Sequence, residues 1–238
     1  MSYTTLDRIH NLHGKNVLFL DLETTGLPNR KYRNKKPQDE YYEHTNNKAY
    51  DSSRIVQIAF CLVEDFCKDF NINRRDIKTR LVYPNNFVIP EKATEIHGIT
   101  TEDIKTHGIK MDRIMEKGRR FRKFLEKCDA IIAYNVFFDV SILKNELYRY
   151  GLPDLVEKIL SLEKTKKVFC LGQLSRRECC PNNWEQYYYY QIPRQRDVYF
   201  KCFGVYPKDE HDAKGDVYAM LKIMKYILNM NKENILET

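Results

Sequence analysis

The chain has 238 residues, of which 42% are hydrophobic and 31% are charged, and its formal net charge is +7. This composition is typical of a soluble globular protein, and no segment approaches the ~20 consecutive apolar residues of a membrane span. The N-terminal segment lacks an apolar stretch long enough for a secretory signal peptide. We therefore expect an intracellular protein without membrane association, whose positive charge favours a polyanionic partner.

The seven cysteines form an odd set without Cys-x-x-Cys pairs. In an intracellular protein such cysteines are most simply reduced thiols. Their spacing matches no common structural zinc site, so we do not expect one.

Five short segments predict β-strands. They cover residues 16–20, 54–63, 78–83, 130–134 and 167–171. The apolar segments 16–20 and 130–134 are typical of buried strands. Apolar periodicity predicts four helices. These cover residues 111–127, residues 136–150, residues 197–204 and a last segment that begins at Asp212 or Gly215. Three strands in series, followed by alternating strands and helices, indicate an α/β fold with a mixed sheet flanked by helices.

Two polar stretches interrupt this pattern. Residues 28–53 predict a long loop or insertion, and the tyrosine-rich stretch at about 175–195 predicts a second insertion. Pro84 and Pro90 bracket a segment that we expect to be extended. The length of the chain favours a single domain over residues 1–238, with its core at about 15–230.

Asp21 and Glu23 follow the first apolar segment and are two residues apart on a predicted strand. Their side chains should therefore point to the same face. Two adjacent carboxylates repel each other unless a cation lies between them, and Mg²⁺ prefers such oxygen ligands. The alternative is that the two acids simply end a strand at an exposed edge. Gly26 permits a tight turn directly after them.

Three further candidates lie near predicted helix starts. Asp139 is in a first helical turn, where an acid can also be explained by the helix dipole alone. His211 and Asp216 flank the start of the last helix, and a histidine beside a metal site can act as a general base. Its alternative is an ordinary surface histidine. Asp212 is better explained as a helix cap than as a metal ligand.

Four motifs in chain order carry a family resemblance. They are Asp-Leu-Glu-Thr-Thr-Gly-Leu at 21–27, Ile-His-Gly-Ile-Thr at 96–100, Tyr-Asn-Val-Phe-Phe-Asp at 134–139 and His-Asp-Ala-Lys-Gly-Asp-Val at 211–217. Together they resemble the DEDDh (DnaQ-like) 3′–5′ exonucleases of the ribonuclease H-like superfamily. The resemblance covers residues 15–230 and implies a ribonuclease H-like mixed five-stranded sheet flanked by helices.

The resemblance also implies catalytic roles. Asp21 would bridge two divalent metal ions, Mg²⁺ with Mn²⁺ as a substitute, and Glu23 and Asp216 would hold the ion on the side of the attacking water. Asp139 would support the second ion. His211 would accept a proton from the attacking water. The product would be a nucleoside 5′-monophosphate.

Substrate contacts follow from the same resemblance. Thr24, Leu27 and His97 would contact the terminal nucleotide, and Asn135 would support the site. For His97, the alternative is a turn histidine that is hydrogen-bonded within its own loop.

The substrate itself is less well defined by the sequence, because substrate selection depends on loops. We expect single-stranded or mispaired DNA 3′ ends, as in proofreading or repair, with RNA 3′-end trimming as the alternative. A more remote alternative is a binding module without activity. Trp184 and Tyr187–Tyr190 either stack on bases or pack within the protein. The expected partners are a nucleic acid with a free 3′ end and, for a proofreading subunit, a polymerase or a replication or repair complex.

Overall fold

The computed structural model describes residues 5–31, 41–67, 69–179, 192–208 and 212–236. These residues contain one five-stranded sheet. Its strands are β1 (Val17–Thr24), β2 (Ile55–Val63), β3 (Lys78–Leu81), β4 (Ala130–Ala133) and β5 (Val168–Cys170). The order across the sheet is β3-β2-β1-β4-β5, with β2 antiparallel to β1 and β3, and β4 parallel to β1 and β5. The five predicted strands and the mixed sheet are confirmed.

The first strand extends beyond the apolar run that ends at Leu20. Its pairing with β2 continues through Asp21 opposite Ala59 and Glu23 opposite Gln57. Between the two acids, Leu22 is buried, so the alternation of side chains persists to the end of the strand. The predicted position of the two acids on a strand is therefore confirmed.

Helices cover both faces of the sheet. They are α1 (Thr5–His10), α2 (Glu91–His97), α3 (Thr101–His107), α4 (Met111–Ile114), α5 (Arg120–Lys127), α6 (Val136–Arg149), α7 (Pro153–Lys164), α8 (Leu171–Cys179), α9 (Gln195–Phe203) and α10 (Ala213–Leu236). One core contains Val17 and Phe19 with the apolar side of α10. The other contains Leu18 and Leu20 with α5, α6 and α7. Alternate residues of β1 thus serve opposite cores.

The single helix predicted over residues 111–127 is wrong. The chain forms α4 and α5, separated by a turn in which Gly118 has a φ of 85°. This left-handed conformation suits glycine and ends a helix. The predicted apolar positions are nonetheless buried, since Met115 and Phe121 are each 1% exposed.

Five helices of the described residues were not predicted, namely α1, α2, α3, α7 and α8, and two of them begin at or directly after a proline. Pro90 is the N-cap of α2 and Pro153 is the first residue of α7, positions where a missing N–H costs little. α3 follows α2 directly, and α8 begins directly after β5 and contains the start of the predicted insertion at 175–195. Residues 180–191, including Trp184 and Tyr187–Tyr190, lie outside the described residues.

The other helix predictions are confirmed. α6 ends at Arg149, and α9 ends before Gly204, whose φ is 71°. At the start of α10, Asp212 Oδ1 accepts the Lys214 N–H at 3.4 Å, which agrees with its predicted role as a cap.

Part of the predicted 28–53 insertion is well ordered against the core. It contains a short 3-10 helix, Asn47–Tyr50, and the ring of Tyr50 is 1% exposed. Asn145 Nδ2 on α6 donates to the His44 carbonyl at 2.7 Å and to Asn47 Oδ1 at 2.9 Å. The single-domain organisation over residues 1–238 stays a prediction. In the part of the chain described, no helix has the length and apolar character needed to cross a membrane.

Candidate metal-binding active site

Three of the predicted acids form a cluster at the meeting point of β1 and α10. Asp21 and Glu23 come from β1, and Asp216 comes from the first turn of α10. Each offers a carboxylate oxygen within 4.8 Å of the oxygens of the other two, and all three residues are half-buried. Because α10 packs directly on β1, strand and helix hold the carboxylates together.

Asp139 lies beside this cluster. It is in the first turn of α6 and is 4% exposed, and the backbone N–H groups of Leu22 and of Asp139 itself donate to its carboxylate. It is not one of the three residues that share the 4.8 Å separation, but its charge acts on both Asp21 and Glu23. The structure therefore brings all four predicted acids to one place, three of them tightly.

Burial and mutual repulsion disfavour full ionisation of these acids. Burial, followed by the charges of Asp139, Asp216, Glu23 and Asp212, raises the pKa of Asp21 well above its ordinary value. Burial is also the main cause that raises the pKa of Glu23 to about 8 and the pKa of Asp139 to about 8. A cation relieves both effects, and an all-carboxylate set suits a hard divalent ion. The residues present thus fit a divalent metal ion.

The same groups predict how pH affects stability without metal. Unfolded Glu23 and Asp139 ionise near their ordinary pKa values of 4.5 and 3.8, whereas the folded groups hold their protons up to about pH 8. Their contribution to stability is therefore complete at low pH and is lost as the pH rises through 8. In EDTA, the Tm should fall between pH 6 and pH 8.5, and scanning calorimetry can measure this fall.

Mg²⁺ should reverse the effect, because the ion binds the ionised carboxylates of the folded protein only. The difference in Tm between Mg²⁺ and EDTA should thus widen as the pH rises. Glu23→Gln, which cannot ionise, should show a smaller decline in EDTA than the native protein. Parallel Tm curves in Mg²⁺ and EDTA would contradict a metal site at these acids.

Two glutamines fix the start of α10. Gln57 Oε1, directly opposite Glu23 in the sheet, accepts the Ala213 N–H at 3.3 Å. Gln195 Nε2 donates to the Asp216 carbonyl at 3.0 Å and to Asp216 Oδ1 at 3.1 Å. The sequence offered no signal for either residue, because their proximity to the acids arises only from the packing of β2 and α9 around α10.

A cavity of about 550 Å³ opens beside the acids. Asp21, Asp139 and Asp216 contribute to its lining. Asn135, Phe138, Arg194, Arg196 and Pro207 are further lining residues. Cationic side chains next to an acidic cluster suit a phosphate group whose charge is shared between metal and protein.

The four predicted substrate residues lie in different surroundings. Asn135 is the N-cap of α6 and lines the cavity. Thr24 is buried and its Oγ1 donates to the Gly26 carbonyl at 2.8 Å, while the side chain of Leu27 is 65% exposed after the same turn. His97 Nδ1 accepts the Ile99 N–H at 3.1 Å, which is the predicted turn arrangement. Nucleotide contacts of these four residues stay predictions.

His211, the predicted general base, lies outside the described residues. Its neighbour Asp212 is close enough to Asp21 and Glu23 for its charge to raise the pKa of both. The chain therefore enters α10 beside the acidic cluster.

A mixed five-stranded sheet, with acids gathered at the end of β1 and at the starts of α6 and α10, is the arrangement of the ribonuclease H-like fold. The profile of an exonuclease family, RNase_T, matches residues 18–224. The chain belongs to this family, and its class is that of the DEDDh 3′–5′ exonucleases, as the four motifs indicated. No individual curated protein sequence matches it significantly.

Solved structures of Escherichia coli exonuclease I share the fold. The complex with a dT13 oligonucleotide is 19% identical with a TM-score of 0.63, over 94% of this chain and 43% of that chain. The zinc-bound complex with single-stranded DNA is 18% identical with a TM-score of 0.62, over 92% and 41%. The complex with a dA16 oligonucleotide is 20% identical with a TM-score of 0.63, over 90% and 41%. The chain spans about two fifths of these exonuclease I chains.

Proposed function

We propose that this protein releases nucleoside 5′-monophosphates from the 3′ ends of single-stranded or mispaired DNA, within the cell, in a proofreading or repair role. The observation that carries the proposal is the convergence of Asp21, Glu23 and Asp216 within 4.8 Å beside an open cavity. The oligonucleotide complexes of exonuclease I, which has the same fold, support single-stranded DNA as the substrate. A polymerase or a replication or repair complex is a proposed partner.

Asp21, Glu23, Asp139 and Asp216 would hold two divalent ions, Mg²⁺ or Mn²⁺, which supply charge neutralisation at the phosphate when bound. The protein supplies the remaining functions. Gln195 holds the Asp216 carboxylate in place.

The cavity residues act on the substrate. Arg194 and Arg196, which line the cavity, attract the phosphates of the terminal nucleotides. Phe138 offers an apolar surface to the terminal nucleoside, and Asn135 offers a polar group in the same cavity. His211 accepts the proton of the attacking water, and the departing 3′-oxygen takes a proton from solvent.

A matched set of oligonucleotides tests this function. A single DNA strand, the same strand with a mispaired 3′ end, its fully paired duplex and the corresponding RNA are incubated with Mg²⁺. We expect mononucleotides from the single and mispaired DNA ends, and slower release from the duplex. Faster release from RNA would instead identify an exoribonuclease, and binding without release would identify a module without activity.

A further inference from the structure

Helix α9 and the turn after it carry an exposed stack of three planar groups. The Arg196 guanidinium lies 4.7 Å from the ring centroid of Tyr206. The Tyr206 and Phe200 ring centroids are 4.6 Å apart, with an angle of 24° between the ring planes. Tyr206 is 50% exposed and Phe200 is 43% exposed. We refer to Arg196, Tyr206 and Phe200 as the α9 stack.

The packing of α9 does not account for these exposed rings. On the part of the helix surface that packs on α10, the ring centroids of Tyr199 and Phe203 are 4.6 Å apart, and those of Phe203 and Tyr226 on α10 are 5.5 Å apart. Tyr199 is buried in the core that contains Val17, Phe19 and the apolar side of α10. The helix is therefore anchored by one face, while the α9 stack presents large apolar rings to solvent. Exposed apolar groups in contact with one another are typical of a binding surface.

The α9 stack is continuous with the active-site cavity. Arg196 belongs to the α9 stack and also lines the cavity. Pro207, which directly follows Tyr206, lines the cavity as well. The neighbouring Gln195 is hydrogen-bonded to Asp216. Along the helix axis, Gln195 and Phe200 are separated by about 7.5 Å, at 1.5 Å per residue. This equals roughly two stacked bases at 3.4 Å each.

The charge of this surface identifies its ligand. Residues 194–208 contain four basic side chains and one acidic side chain, so their formal charge is +3 (4 − 1). The basic residues are Arg194, Arg196, Lys201 and Lys208, all of them exposed. Planar rings beside cationic groups are the combination that binds single strands, because the bases stack on the rings while the cations contact the phosphates.

We propose that the α9 stack binds the bases two to three nucleotides upstream of the 3′ end while the terminal phosphate occupies the active site. This inference rests on the proposed exonuclease function and extends it to a second contact region. Every base has a π-face, so the contact is independent of sequence. Bases in a duplex are already stacked on their neighbours, and the α9 stack therefore favours single-stranded over paired ends.

Equilibrium binding tests the proposal separately from catalysis. Fluorescence anisotropy gives the Kd of labelled oligothymidylates of two and eight nucleotides in EDTA. Tyr206→Ala and Phe200→Ala should each weaken binding of the octamer about 5- to 150-fold, the range for loss of one base–aromatic contact. Binding of the dinucleotide should change less than about 2-fold, since it is too short to reach the α9 stack.

Two variants serve as controls. Tyr206→Phe keeps the ring and should bind the octamer like the native protein. Tyr148→Ala removes a tyrosine of similar exposure, 45%, on the last turns of α6, and should leave both Kd values unchanged. Circular dichroism and the Tm of each variant establish that it is folded.

The outcomes separate the two proposals. An unchanged octamer Kd in Tyr206→Ala and Phe200→Ala would overturn the inference and would favour a protein partner for this surface. An equal loss for dinucleotide and octamer would overturn the upstream position. Octamer-specific weakening supports the α9 stack even if the native protein releases no nucleotide with Mg²⁺, a result that would refute the proposed activity alone.

Discussion

Asp21→Asn should reduce nucleotide release by at least about 10³-fold while leaving the fold intact. Metal ions at a phosphate contribute several kcal/mol of transition-state stabilisation, and each 1.36 kcal/mol corresponds to a tenfold change in rate. Asp21 is the acid on which the charges of Asp139, Asp216, Glu23 and Asp212 all act. Neutralising it therefore removes the central negative charge of the cluster.

The same substitution should not destabilise the metal-free protein. Asparagine has nearly the volume of aspartate and removes a charge that burial and its neighbours disfavour. We expect the Tm of Asp21→Asn in EDTA to equal or exceed that of the native protein at pH 8, where the native acids are ionised in part. In Mg²⁺, the order should reverse, because the variant binds the ion more weakly.

Asp112→Asn is the matched control, since this aspartate is exposed on α4 and accepts the N–H of its neighbour Arg113. The test compares the initial rates of mononucleotide release from a labelled single strand at saturating Mg²⁺. The native protein, Asp21→Asn and Asp112→Asn are measured side by side. An Asp21→Asn rate within tenfold of the native rate would refute the assignment of Asp21 as a metal ligand.

The strands other than β3 were predictable from the sequence because they consist mainly of apolar residues. A strand buried on both faces needs no alternation with polar residues, and 130–133 is an example in which all four residues are buried. The bounds of a strand were less predictable where the strand contains acids of the active site. β1 continues through Asp21 and Glu23 because β2 pairs with it, and this pairing is not visible in the sequence of β1 alone.

The helices that escaped prediction are short or begin at prolines. α2 has seven residues and begins after Pro90, and α7 begins at Pro153. Residues that stop one helix can thus begin the next, and a local pattern does not distinguish the two roles. At Gly118 the sequence pattern predicted one continuous helix where there are two. The apolar periodicity continues through this residue, but the helical backbone is interrupted there by a turn.

The acids were predictable for a different reason. Taken singly, each of Asp21, Glu23, Asp139 and Asp216 has an ordinary structural explanation, and only their order within the four motifs indicated a shared site. The family match over residues 18–224 confirms that resemblance. Gln57 and Gln195 carry no such motif, and they reach α10 through β2 and α9, which are far from each other in the chain. Contacts of this kind depend on tertiary packing alone.

His211→Ala should lower the rate of release by about 10² to 10⁴-fold if His211 is the general base. Asp212, the next residue in the sequence, lies within electrostatic reach of Asp21 and Glu23. This sequence neighbourhood is the reason to test His211 as the base for the attacking water.

The pH dependence separates a base from a residue that only supports the fold. A neutral imidazole is required to accept the proton. The native rate at saturating Mg²⁺ should therefore fall at acidic pH as the imidazole becomes protonated, whereas the residual rate of His211→Ala should lack this acidic limb and rise with hydroxide concentration instead. His107→Ala, at the end of α3, is the control. If His211→Ala keeps the native pH profile at a uniformly lower rate, the proton acceptor is another group, and His211 acts only by positioning the residues around it.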